Sequence, residues 1–140
     1  MKKYDTVALL KLCALIKEEP GAREWLLENN CRELYEFWEA YEHIEKSFKW
    51  LLENKHPELA AMVDALHGSD NAKAFLVKSG QHELAAFIDA TDGNKAAVTW
   101  LLKSGHKNWL AVAREIYVYN KKKEKKGFWK IFDFGNPFSH

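Results

Sequence analysis

Three groups of side chains in this sequence have types and spacings from which a site is commonly built. The first is His56 and His106, 50 positions apart, with His82 one residue off the midpoint. Imidazoles are frequent zinc ligands, but these stand at helix starts two structural intervals apart, too far for ligand bonds near 2 Å. No metal or cofactor is expected. The second group is Glu39, Asp64 and Asp89, each 25 positions from the next. Carboxylates in such a row form either a solvated ridge or a strip that reads a basic peptide. The third is Lys121, Lys122, Lys123, Lys125 and Lys126, followed by Phe128, Trp129, Ile131, Phe132 and Phe134. Lysines next to aromatics suit an anionic surface, since cations supply attraction and rings supply burial. The sequence has no glycine-rich phosphate loop, nucleophile elbow or metalloprotease helix. No catalytic residue is assigned, and enzyme is the least favoured class.

The elements that position these residues follow from one periodicity. Trp25, Trp50, Phe75 and Trp100 recur every 25 residues, each followed by a leucine: Leu26, Leu51, Leu76 and Leu101. Nine residues after each aromatic stands Leu34, Leu59, Leu84 or Trp109, and Phe37, Met62, Phe87 and Val112 align behind them. Ala22, Ser47, Ala72 and Ala97 hold a small column. A period of this length marks a repeat architecture, in which each unit buries its apolar face against its neighbours. The eight residues of the aromatic and Leu34 columns are expected to form the structural core.

Each unit reads as two short helices. Ser69 or Asp70 can cap the first helix of the third unit, and Gly80 and Gly105 can end first helices in a left-handed conformation. Pro57 suits a first helical position, and Gly68 and Asp92-Gly93 close second helices. The first unit has His43 where the later ones have glycine, so either a break near residues 42–47 or one long kinked helix fits. The same unit is more aromatic and acidic, and Tyr35 and Tyr41 join Glu39, Asp64 and Asp89 as candidate partner contacts. The reading is all-α: a right-handed α-solenoid-like stack of short helical hairpins. A half cap spans 1–20, repeats span about 21–45, 46–70, 71–95 and 96–120, and a basic and aromatic tail spans 121–140.

In layout the chain resembles ankyrin and tetratricopeptide proteins, which also stack helical hairpins. The Leu-Leu-Lys-Ser-Gly stretch at 101–105 is similar to the end of an ankyrin helix. The 33- and 34-residue periods of those families and the Thr-Pro-Leu-His signature are absent. The resemblance implies only class behaviour, a stack with a curved face open to partners.

Two cysteines, Cys13 and Cys31, in 140 residues are too few for a disulfide framework, and a cytoplasmic location is expected. Met1-Lys2-Lys3 and the apolar stretch from Val7 to Ile16 imitate a signal peptide, but Asp5 and Lys11 interrupt it and no small-x-small cleavage site follows. Charge is segregated: the tail holds six lysines against Glu124 and Asp133, leaving 15 basic and 18 acidic groups in the rest of a chain of net charge +1. The acidic body argues against nucleic acid.

Three readings of the tail stand side by side. It folds back as a cap on the last repeat; it binds an anionic membrane; or it docks on a protein, as Asn136-Pro137-Phe138 resembles the tripeptide that EH domains recognise. The expected function is a non-enzymatic protein-protein interaction module with a protein or peptide partner and no small-molecule substrate. The alternatives are a membrane-associated adaptor anchored through the tail, and an inhibitor or immunity-type protein acting through its acidic first repeats.

Overall fold

The computed structural model describes the backbone of residues 1–134 and the side chains of residues 1–126. These residues form nine helices and no strand: α1 (Thr6–Ile16), α2 (Ala22–Glu28), α3 (Arg32–Tyr41), α4 (Glu45–Glu53), α5 (Pro57–Leu66), α6 (Asp70–Lys78), α7 (His82–Thr91), α8 (Lys95–Lys103) and α9 (Lys107–Phe134). The side chains of Phe128, Trp129, Phe132 and Phe134, and the whole of Asn136-Pro137-Phe138, lie outside the described residues.

Local chemistry sets the helix ends. The Asp5, Ser69 and Asn94 side chains accept from the free amides of Ala8, Ala72 and Ala97 at 2.8, 3.1 and 2.9 Å, and Pro57 opens α5. Helix ends use one repeated device. Left-handed residues fall at Glu18, His43, Gly68 and Gly93, and again at Asn30, Lys55, Gly80 and Gly105. The residue after each donates its amide back to a carbonyl in the last helical turn, as Ile44 does to Glu39 (3.1 Å) and His56 to Leu51 (2.8 Å). His43 therefore breaks the first unit at the place where glycine breaks the later ones, with φ 69°. A single kinked helix does not form there.

Packing divides the helices into two sets. Each odd-numbered helix touches the next odd-numbered one, α1 to α3 and onward to α9, and α9 returns to α1. Each short even-numbered helix from α2 to α8 lies against the two odd ones that flank it in sequence. The inner set carries the core, with Leu9, Leu12, Leu34, Phe37, Leu59, Met62, Leu84, Phe87, Val112 and Ile116 at 2% exposure or less. Because α1 covers α9, the contacts close on themselves, and the curved open face expected of a stack is taken up by the chain's own ends.

The outer helices correct the core expected from sequence. Leu26, Leu51, Leu76 and Leu101 are fully buried, whereas Phe75 and Trp100 are 41% and 42% exposed and Trp25 and Trp50 half-buried. An outer helix presents a narrow buried stripe, the small column and the leucine four residues on. The aromatic precedes that leucine and is turned about 100° away from it. Its ring lies instead over the loop that follows: Trp50 stacks on His56 at 5.8 Å and Trp100 on His106 at 5.7 Å. The inner column of Leu34, Leu59, Leu84 and Trp109 is buried throughout.

Candidate functional site

The last helix is the element that departs most from its equivalents. The other inner helices have 10 or 11 residues, but α9 has 28, about 42 Å at 1.5 Å per residue. From Lys121 to Lys126 every side chain is exposed, and the helical backbone continues through Gly127 to Phe134. Through Phe134 the backbone thus continues as helix and does not turn back over the last unit, and α1 packs against α9.

Where α9 leaves the body, α3 grips it. The Tyr41 hydroxyl donates to Asn120 Oδ1 at 2.7 Å, the Tyr119 hydroxyl donates to Glu42 Oε1, and Lys123 pairs with Glu42 at 3.8 Å. Burial raises the Tyr41 hydroxyl's pKa, and burial together with Glu42 raises that of Tyr119, so both stay protonated donors near neutral pH. Tyr41 also belongs to a stack: Trp38 lies 5.1 Å from it on one side and His67 5.2 Å on the other, with His43 4.5 Å beyond His67. Trp38 in turn meets the Tyr119 ring of α9 edge-on at 5.0 Å, which ties the column to the last helix.

Beside that exit, Lys17, Lys122, Lys123 and Lys126 surround a cleft of about 400 Å³ that also contains Glu18, Glu115 and Tyr119. Lys17 lies 3.4 Å from Glu19 and 4.0 Å from Glu115. Among the described residues, Lys122 and Lys126 have no carboxylate at ion-pair distance. Three lysines of the run, Lys122, Lys123 and Lys126, therefore share one cleft with a body residue, Lys17.

The other candidate contacts separate. Asp89 is neutralised by Lys73 at 2.6 Å, Glu39 is half-buried, and Asp64 is exposed at a cleft of about 500 Å³ with His43, Phe48 and His67. Arg114 occupies the next position in the row. Tyr35 is half-buried beneath the Arg23 guanidinium, 5.3 Å from its ring.

A second end of the molecule carries residues that the sequence reading passed over. Glu33, Glu58 and Glu83 stand 25 apart in the first turns of α3, α5 and α7, where the helix dipole favours acids. The N-terminal segment lies across them. Lys2 Nζ donates to Glu33 Oε1 at 2.8 Å, the Tyr4 hydroxyl donates to the same oxygen at 2.9 Å, and the terminal amine is 3.9 Å from Glu58. Burial alone would raise the Glu33 pKa, but the bonds from Lys2 and Tyr4 outweigh it and hold the carboxyl below its ordinary value. The spacing was visible in sequence; nothing in it announced that residues 1–4 would be the partner.

Neither cysteine is set up as a nucleophile. Cys13 and Cys31 are free and buried, and burial pushes the Cys13 thiol up to about 11 and raises that of Cys31. No family model, curated protein or solved structure matches the chain.

Proposed function

We propose that the protein is a non-enzymatic interaction module, a right-handed stack of 25-residue helical hairpins whose ends meet and whose last helix is extended to engage a protein partner. The observation that carries this reading is α9, which runs unbroken from the core to Phe134 with an exposed lysine run. A helix anchored by buried Val112, Ala113 and Ile116 and bearing exposed lysines from Lys121 to Lys126 is preorganised for recognition, and preorganisation lowers the entropy cost of binding. The closed packing moves the expected binding surface from an inner curve to the rim and this helix. Two buried, unbridged cysteines support a cytoplasmic location. The test is affinity capture with the intact chain and with a chain ending at Asn120, followed by titration of the captured protein. Saturable binding lost on truncation supports the reading; equal binding by both removes the role of the projecting end of α9, and absent binding by both removes the module reading.

A second reading is a membrane-associated adaptor, and the gathering of Lys17, Lys122, Lys123 and Lys126 on one cleft favours it. Each lysine near an anionic surface contributes on the order of 1 kcal/mol. No helix among the described residues is long and apolar enough to cross a membrane, so attachment would be at the surface. The intact chain should then sediment with anionic vesicles at low salt and release at high salt, and the chain ending at Asn120 should stay in solution.

A further inference from the structure

Equivalent grooves lie between successive inner helices and are lined differently: between α3 and α5 the columns hold Phe48 and Asp64, beside a cleft of about 500 Å³. In the next groove, Lys73 of α6 reaches Asp89 of α7 in an ion pair of 2.6 Å. Between α7 and α9 both partners change. Val98 stands in the column of Lys73 and Arg114 in that of Asp89, so the ion pair is gone and the sign of the rim charge is reversed. What remains is a cleft of about 410 Å³, floored by Ala90, Gly93, Val98, Leu110 and Ala111 and bordered by Lys107, Arg114 and Tyr117.

Its cations are spaced for a helix. Lys107, Arg114 and Lys121 recur every seven residues along α9, and Leu110 and Tyr117 stand three residues after the first two, the interval at which two packed helices meet along a seam. Lys107 and Arg114 are exposed and, among the described residues, have no carboxylate at ion-pair distance. Lys121 lies over the Tyr117 ring at 5.4 Å and shares Glu124 at 3.5 Å. Small residues on the floor allow close approach.

We propose that this groove binds an acidic amphipathic helix of a partner protein, its carboxylates at seven-residue spacing facing Lys107, Arg114 and Lys121 and its large apolar side chains entering over Ala111. The proposal rests on the interaction-module reading and names the chemistry of the partner. The chain's own tail is excluded as occupant by charge, since its six lysines against two acids would be repelled by the same rim.

The test uses a dye-labelled synthetic helix of three heptads, with glutamate at one position and leucine three residues later in each, titrated with the full chain. Saturable binding that weakens with salt is expected. The double variant Lys107→Glu, Arg114→Glu should weaken it roughly tenfold or more, as should Ala111→Trp, which fills the floor, while Lys78→Glu at the exposed end of α6 should leave it unchanged. No saturation up to about 1 mM by a chain whose circular dichroism is native overturns the proposal, as does binding indifferent to the double charge reversal. Tail-dependent capture of a partner that survives the double reversal, beside a peptide that does not bind, would sink the groove and leave the module reading standing.

Discussion

Single residues hold strain and charge that the repeat imposes on them. Lys55 is exposed and left-handed at φ 63°, the position that Gly80 and Gly105 occupy in later units. A side chain in that region pays a steric penalty that glycine avoids. Lys55→Gly should therefore stabilise the protein by about 0.5–1 kcal/mol, and Gly105→Lys should destabilise it by a similar amount or more, both read from urea midpoints at constant slope. These positions also mark how far the sequence could be read. Gly80 and Gly105 announced their turns; Asn30, Lys55, Glu18 and His43 carry the same conformation without its usual residue, so only their place in the columns could have identified them. Glu33 gives a second residue-scale prediction. Its folded pKa is lowered by Lys2 and Tyr4, so between the folded and unfolded values the unfolded chain binds more protons. Its contribution is present above the ordinary carboxylate range and is lost as pH falls through the folded pKa. Glu33→Gln should lower stability at neutral pH and flatten the acid limb of a stability-pH profile. An unchanged acid limb would show that the contacts to Lys2 and Tyr4 carry no net energy.

At the scale of elements, what decides a residue's importance is the side of the helix it faces, and conspicuous residues mislead. The aromatic column revealed the period, yet the buried member of each outer helix is the leucine beside it. Leu101 is fully buried and Trp100 is 42% exposed. Leu101→Ala should cost about 2–5 kcal/mol through lost burial and a residual cavity, whereas Trp100→Ala gives up mainly stacking on His106 and partial burial and should cost about 1 kcal/mol. Equal losses in denaturant unfolding would contradict the orientation described for α8. Sequence legibility followed the same division. Helix existence, the Pro57 and Ser69 starts and the Leu34 column could be read locally, because caps and periodicity act within a few residues. Facing could not, since a ten-residue helix with apolar residues at adjacent positions has two plausible buried sides, and its neighbours choose between them. The groove beside α9 was hidden for a related reason: its lining comes from residues on different helices, Ala90 of α7, Val98 of α8 and Leu110, Ala111 and Arg114 of α9.

The whole molecule is held by a contact that no local pattern encodes, the packing of α1 on α9. Asn108 donates to Thr6 at 2.9 Å, and the Tyr4 ring meets Trp109 edge-on at 6.4 Å. The apolar columns said that both ends of the array needed covering; they did not say that one end would cover the other. Closure changes how the protein should unfold. An open repeat array can fray from a terminal unit, because each unit contacts only its neighbours. Here, loosening α1 exposes Leu9, Leu12 and Ile16 together with the α9 residues Val112, Ala113 and Ile116, all buried, so both ends lose support at once. Heat unfolding should be a single transition seen alike by Trp fluorescence and circular dichroism, and amides in α1 and the first half of α9 should exchange with the slowest in the protein. Truncation separates closure from capping by the tail. A chain ending at Asn120 keeps the α1 contact and should melt within about 5 °C of the intact protein, a shift equivalent to about 1 kcal/mol or less. A chain beginning at Glu19 loses that contact and should bind a hydrophobic dye and lose its cooperative transition. The reverse ranking, with the tail deletion the more damaging, would mean that residues after Asn120 stabilise the body and that closure by α1 contributes little.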